Sequence, residues 1–207
     1  SIGGSAFSGC SGLTSITIPD GVTSIGGSAF SGCSGLTSIT IPDSVTFIGS
    51  GALRDCSSLE SIALPFIGKS KTASDGYDQV FGYIFGYTTT WSDSPVSSKY
   101  QYREGNTNYY YYIPESLKTV ILSNDITSIG NYAFNKCSSL KTVFYKGTAE
   151  QWKEISIGYN NSNLTNAARY YYSETEPALS SDGTAYDGNY WHYDTDGVTP
   201  VIWKKEK

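Results

Sequence analysis

Methionine is missing from these 207 residues, histidine occurs once as His192, and Lys and Arg total only 14 against 19 Asp and Glu. The formal charge is −5 and the isoelectric point about 4.8. A surface this poor in cations cannot displace the counterions of a phosphate backbone, so nucleic acid is excluded as a natural partner. The same deficit argues against docking on an anionic membrane face. No apolar run approaches the ~18 residues that cross a bilayer, so no membrane insertion is expected within this chain. There is also no signal peptide, and the chain opens partway through a repeat. It reads as a piece of a longer precursor whose targeting segment lies upstream.

What the chain does have is repetition. Leu13-Thr14-Ser15-Ile16-Thr17-Ile18-Pro19 returns as Leu36-Thr37-Ser38-Ile39-Thr40-Ile41-Pro42 and as Leu59-Glu60-Ser61-Ile62-Ala63-Leu64-Pro65, each 23 residues after the last. After an interruption it returns from Leu117 to Leu122 and again, 23 further on, from Leu140 to Tyr145. Ile25, Ile48 and Ile129 keep the same phase, as do Ala29, Ala52 and Ala133. A fixed period in this range marks a solenoid, because one unit alone buries too little apolar surface to offset the entropy of ordering it. Leu-x-x-Ile-x-Ile predicts a short strand with alternate residues inward. Pro19, Pro42 and Pro65 end it by removing a ladder donor, and Asp20-Gly21 makes the turn. Val-Thr-Ser-Ile predicts a second extended segment, and the Gly-rich stretch after it a single helical turn. The expected core ladder consists of Leu13, Leu36, Leu59, Leu117 and Leu140, with Phe7, Phe30 and Phe134.

All four cysteines, Cys10, Cys33, Cys56 and Cys137, occupy one repeat position. They should form a further ladder pointing the same way into the core, as free thiols acting as small hydrophobes. Strands about 4.7–4.9 Å apart bring neighbouring thiols near bridging range, so two disulfides are the alternative. Parallel Cβ vectors suit that geometry poorly. Zinc would need convergent ligands, which this spacing does not provide.

The motif Ile25-Gly26-Gly27-Ser28-Ala29-Phe30-Ser31-Gly32-Cys33-Ser34-Gly35-Leu36-Thr37-Ser38-Ile39-Thr40-Ile41-Pro42 resembles the BspA-type (treponemal-type) leucine-rich repeat, and the likeness covers residues 1–65 and 113–145. The resemblance implies an α/β-type repeat solenoid of short parallel strands and tight turns. It also implies a surface-exposed or secreted bacterial protein with a role in adhesion. The family's repeat residues are structural, so no catalytic residue and no cofactor follow from it. The organisation expected is a first block of repeats over 1–65, an aromatic-rich insertion over 66–112, a second block over 113–146, and a C-terminal cap with a small β-hairpin over 147–207.

The insertion carries Phe81-Gly82-Tyr83-Ile84-Phe85-Gly86-Tyr87, Trp91, Tyr100, Tyr102 and the run Tyr109 to Tyr112. Phe81, Tyr83, Phe85 and Tyr87 would share one face of a strand, predicting a β-hairpin or small sheet. It serves either as a decoration packed on the solenoid or as a ligand platform of stiff, amphipathic side chains. The candidate binding residues are Tyr83, Tyr87, Trp91, Tyr100, Tyr102, Tyr109, Tyr111 and, in the tail, Trp191.

Thr148-Ala149-Glu150-Gln151 has capping-box form and predicts a helix through Trp152 and Ile155. Asn163 can cap a second short helix that carries Leu164, and together they would cover the end of the stack. In the tail, Asn189–Tyr193 and Pro200–Trp203 predict paired strands between Asp-Gly turns. Their Trp191, His192, Tyr193 and Trp203 form a mini-core or, alternatively, a carbohydrate platform. Asp194-Thr195-Asp196-Gly197 starts like a calcium loop but lacks the later ligands and the closing Glu.

Catalysis has little to work with. A nucleophile device would have to use His192, and no Gly-x-Ser-x-Gly elbow or phosphate loop occurs. Paired acids of a glycosidase could come from Asp75, Asp78, Asp93 and Glu104 in the insertion, but isolated surface acids are usually solvated. The reading is a non-enzymatic extracellular or cell-surface module that binds a host or bacterial surface protein without cofactor or metal. Glycan binding and a spacer role in a larger surface protein are the alternatives.

Overall fold

The computed structural model describes residues 1–72, 78–89, 99–104 and 107–205. The strands are short: β1 (Ser24–Ile25), β2 (Ser38–Thr40), β3 (Phe47–Ile48) and β4 (Ser61–Leu64) precede a 3-10 turn over Phe81–Phe85. Next come β5 (Tyr87–Thr88), β6 (Lys99–Glu104), β7 (Thr107–Tyr111), β8 (Thr119–Leu122), β9 (Ser128–Ile129) and β10 (Thr142–Tyr145). Helix α1 (Ala149–Lys153), β11 (Ser156–Ile157), α2 (Ser162–Thr165), β12 (Ala168–Tyr172), β13 (Tyr190–Tyr193) and β14 (Pro200–Ile202) complete the order.

One side of the solenoid is a seven-stranded sheet in the order β14-β13-β12-β10-β8-β4-β2. The strands that carry the repeat pattern pair in parallel and in phase: Ile39 stands opposite Ile62, and Ile62 opposite Val120. Val120 in turn stands opposite Val143. Equal sequence position therefore means equal height, even across the insertion, where Leu59 and Leu117 are 58 residues apart instead of 23. The inward-facing Ile39, Ile62, Val120 and Val143 are all buried, as are Leu36, Leu59, Leu117 and Leu140. Pairing also absorbs the backbone donors that a buried strand must place somewhere.

The turns stack on the opposite side. Phe7 N–H donates to the Ala29 carbonyl at 2.7 Å, and Phe30 N–H to that of Ala52 at 2.8 Å. The rings of Phe7 and Phe30 lie face to face at 5.3 Å. Two thiols reach back one coil: Cys33 Sγ donates to the Phe7 carbonyl at 3.2 Å and Cys56 Sγ to that of Phe30 at 3.3 Å. All four cysteines are free thiols.

Cys10 departs from the expected ladder. It is exposed, while Cys33, Cys56 and Cys137 are buried. No described coil lies on its far side, and Phe7 and Leu13 are only half-buried.

The insertion departs further. Phe81, Tyr83 and Phe85 do not share a strand face; they wind into the buried 3-10 turn and complete a coil. Leu53 N–H donates to the Ile84 carbonyl at 2.8 Å, and Phe81 N–H to that of Ala133 at 2.9 Å. Phe81 stacks on Phe134 at 5.0 Å and meets Phe85 edge-on at 5.3 Å. The turn therefore meets the preceding coil through Ile84 and the following one through Phe81. Among the described residues of the insertion, only the sheet β5-β7-β6 stands outside this stack.

The C-terminal stretch continues the solenoid. Thr148 forms the capping box of α1, accepting from Gln151 N–H at 3.2 Å while its own N–H donates to Gln151 Oε1 at 2.8 Å. Asn163, expected as a cap, lies inside α2; Asn161 holds the N-cap position. The Asn161 amide donates to the Gly130 and Gly158 carbonyls at 2.9 Å each and accepts from Phe134 N–H at 2.9 Å. The chain then returns to the sheet as β12, beside β10, so the helices belong to one more coil.

Candidate binding surface

The tyrosine sheet is tied to the solenoid at its root. Tyr87 pairs with Tyr111 and Thr88 with Tyr110, antiparallel, and β6 pairs with the outer edge of β7 through a bulge between Tyr100 and Tyr102. Tyr111 and Tyr83 are buried, at 0% and 7% exposure. Tyr87 meets Tyr109 edge-on at 5.2 Å and Tyr111 at 5.8 Å. Tyr87, Tyr109, Tyr110 and Tyr112 are half-buried. The Arg54 guanidinium lies 4.4 Å over the Tyr112 ring, a cation–π contact that pins the sheet to the third coil. Among the expected residues, Tyr87 and Tyr109 thus present surface, whereas Tyr83 and Tyr111 serve as anchors. Trp91 and the side chains of Tyr100 and Tyr102 lie outside the described residues.

A cavity of about 240 Å³ adjoins Tyr112, walled by Asp55, Cys56, Ser57 and the return segment Ile113–Ser116. The Cys56 thiol at its wall is no nucleophile. Burial pushes it up to about 12, helped by the neighbouring Cys33, and a protonated thiol attacks poorly.

Trp191, read from the sequence as part of a mini-core or alternatively of a carbohydrate platform, is fully buried, as the mini-core requires. β13 pairs in parallel with β12 and carries the indole onto the outward face of the sheet, where it meets Phe144 at 5.2 Å and Tyr172 at 5.2 Å. Its Nε1–H donates to the Tyr145 carbonyl at 2.9 Å. With Ala63, Ile121 and Phe144 it forms a second buried cluster, flanked by Tyr170, Tyr172, Tyr193 and Ile202. The hairpin therefore extends the edge of the sheet and lays Trp191 over its outward face, with no stacking surface left for a sugar at Trp191. His192 packs on Trp203 at 4.2 Å and lies 2.7 Å, through Nδ1, from the Tyr193 carbonyl.

The acids find structural work. Asp196 accepts from the N–H groups of Val198 and Thr199 at 2.8 Å each, closing its turn. Asp182 is held down to about 2, chiefly by the Thr184 N–H and then by the Ser180 and Thr184 hydroxyls. Asp78 pairs with Lys69 at 3.1 Å. Asp75 and Asp93 lie outside the described residues. Among the described residues no three His, Cys, Asp or Glu side chains converge as a metal site would require, and no helix is long and apolar enough to cross a membrane.

Sequence reasoning missed Arg54 at the sheet's root and did not single out Tyr110 and Tyr112 there, nor Tyr170 and Tyr172 around Trp191. The alternation Tyr170/Tyr172 was a usable signal, since a strand residue two places from an outward one also faces outward.

Comparison with known proteins places this geometry. The model of the BspA type leucine-rich repeat region matches residues 1–81 and 99–170, in 6 copies. No curated protein matches the chain. Among solved structures it is similar to a leucine rich cell surface protein from Faecalibacterium prausnitzii A2-165, at 25% identity and a TM-score of 0.37, over 69% of this chain and 35% of that one. It is also similar to a leucine-rich repeat protein from Bacteroides ovatus ATCC 8483, at 23% identity and a TM-score of 0.30, over 86% of this chain and 48% of the other. The chain spans less than half the length of either.

Proposed function

The chain belongs to the BspA-type leucine-rich repeat family, and from that premise we propose that it is a non-enzymatic, extracellular or cell-surface binding module. Its ligand is a host or bacterial surface protein, gripped by the tyrosine sheet and the cavity beside Tyr112. The observation that carries this reading is the stiff mounting of Tyr87, Tyr109, Tyr110 and Tyr112, partly exposed on a sheet rooted by the buried Tyr111. Phenolic side chains bring large contact area at small entropic cost, because only two torsions are immobilised. A rigid base reduces that cost again.

The test is an array of purified host and bacterial surface proteins probed with the intact chain and with a shortened variant. Replacing residues 89–109 by Asn-Gly joins the paired Thr88 and Tyr110 through a two-residue hairpin and spares the Phe81–Phe85 turn. The variant lacks Trp91, Tyr100, Tyr102 and Tyr109, and their loss should weaken binding roughly tenfold or more. Equal binding by both chains refutes the role of the sheet.

A further inference from the structure

Opposite the seven-stranded sheet, the second ladder is not continuous. β1 pairs with β3, and β9 with β11, as two separate parallel pairs. Between them, where the coil containing the insertion passes, a cavity of about 290 Å³ opens, far above the ~10–15 Å³ that holds one water. One wall is Pro65–Ile67 with Ser70, Lys71 and Gln79; the other is Asp125–Asn131.

The β9 wall presents the backbone pattern that elsewhere receives a neighbouring coil. Thr46 N–H donates to the Thr23 carbonyl at 2.9 Å and Gly49 N–H to that of Ile25 at 2.8 Å. One coil beyond the gap, Gly158 N–H makes the same bond to the Ile129 carbonyl at 2.8 Å, and Ser156 N–H, one repeat position later than Thr46, bonds to that of Thr127 at 3.1 Å. The equivalent N–H groups of Thr127 and Gly130 bond to no described residue. Glycine geometry points the same way. A Cβ on Gly26 or Gly49 would come within 2.7 Å of Gly4 Cα or Gly27 Cα, and one on Gly158 within 2.6 Å of Asn131 N. At Gly130, in the same repeat position, a Cβ would meet nothing within 4 Å. The space that a neighbouring backbone fills at three equivalent places is filled by no described residue at this one. Gln79 adds a third sign: its Nε2, on the facing wall, is buried and donates to no acceptor.

From these observations we infer that the slot is a strand-accepting site, which takes an extended segment of a partner polypeptide. Thr127 and Gly130 N–H donate to the guest backbone, and Gln79 Nε2 to one of its carbonyls. The close approach at Gly130 selects a guest with Gly, Ala or Ser opposite it. The Val-Thr-Ser-Ile-Gly-Gly pattern of residues 22–27, which lies in the equivalent place beside β3, is the template. Lys71 and Asp125, paired at 3.3 Å, both line the slot and must part or tilt as the guest enters. Added strands of this kind draw affinity from main-chain hydrogen bonds and specificity from alternate side chains. The site is independent of the tyrosine sheet, so failure of either reading leaves the other standing.

The probe is the synthetic peptide Gly-Val-Thr-Ser-Ile-Gly-Gly, titrated into the isotope-labelled chain and followed by amide NMR and hydrogen exchange. Saturable shifts confined to Thr127–Asn131 and the Gln79 side chain are expected, with exchange at Thr127 and Gly130 slowed about tenfold or more. Gly130→Val, which fills the slot, and a peptide N-methylated at Ser and Ile should each abolish the effect. If Gly130→Val fails to fold, the methylated peptide decides. Absence of shifts at millimolar peptide, or shifts that survive both controls, overturns the inference. So does protection of Thr127 and Gly130 in the free chain, which makes the occupant its own loop if independent of protein concentration and a second copy if it rises with it.

Discussion

The two sides of this solenoid meet the same insertion and answer it differently. On one, β4 and β8 pair as though nothing intervened, Ser61 opposite Thr119 through Leu64 opposite Leu122. On the other, the ladder stops at the insertion and resumes at β9. The cause lies in where the extra chain leaves and returns. Leu59–Leu64 and Leu117–Leu122 retain the apolar pattern in full, so their strands find each other. The second extended segment is replaced by Phe66–Ser70, which pairs with β3 at Lys69 and Ser70 and leaves the edge of β9 away from β11 without a described strand partner. A repeat protein thus tolerates a long excursion provided that the excursion itself refills the core.

Phe81 tests that refilling most severely. Phe81→Ala should cost about 3–5 kcal/mol of unfolding free energy, as expected for a buried Phe, whereas Tyr109→Ala in the standing sheet should cost under ~1 kcal/mol. Comparable losses in urea denaturation would mean the turn is not part of the core. Trp191→Ala should cost a similar ~3–5 kcal/mol by uncovering Phe144 and Ile121, measurable as increased dye binding to exposed apolar surface.

A sharper comparison uses one substitution at two equivalent glycines. Gly49→Val drives a side chain into the Gly27 backbone and should destabilise by about 1–3 kcal/mol. Gly130→Val meets open space and should stay within ~0.5 kcal/mol of the parent. Equal effects would close the gap that separates the two ladders. Thr148→Ala removes one arm of the capping box and should cost about 1 kcal/mol, read as a small fall in melting temperature.

The smallest effect concerns pH. Desolvation raises the Cys56 thiol to about 12 from an ordinary value of 9.0, and Tyr193 to about 12 from 10.0. The unfolded chain sheds these protons first, so stability is fully present below pH 9.0 and declines as pH rises toward about 12. Urea midpoints that hold constant over that window would contradict the burial. Under native conditions an alkylating reagent should modify the exposed Cys10 and spare Cys33, Cys56 and Cys137 until the chain unfolds.

Much of this was legible before the fold was in view. The 23-residue register of Leu, Ile, Phe and Cys predicted which strands stand side by side, and the capping box at Thr148 predicted α1. The candidate site was less legible. Tyr83 and Tyr111 carry the same side chain as Tyr87 and Tyr109, yet one pair anchors and the other faces outward. Nothing local in Phe81–Phe85 separates a strand from a 3-10 turn, because an alternation with Gly suits either. Trp191 fitted either a mini-core or a platform, since its strand carries aromatic residues on both sides of it. It is buried because the tail returns to the sheet beside β12.

Sequence alone determined the period, the inward positions and the parallel stacking, since these depend on a spacing that every unit repeats. Tertiary structure decided which tyrosines reach solvent, that the hairpin covers Phe144, and that Gly130 faces an open slot. Each of these depends on what one unique segment packs against, and a contact between distant stretches has no periodic signature to read.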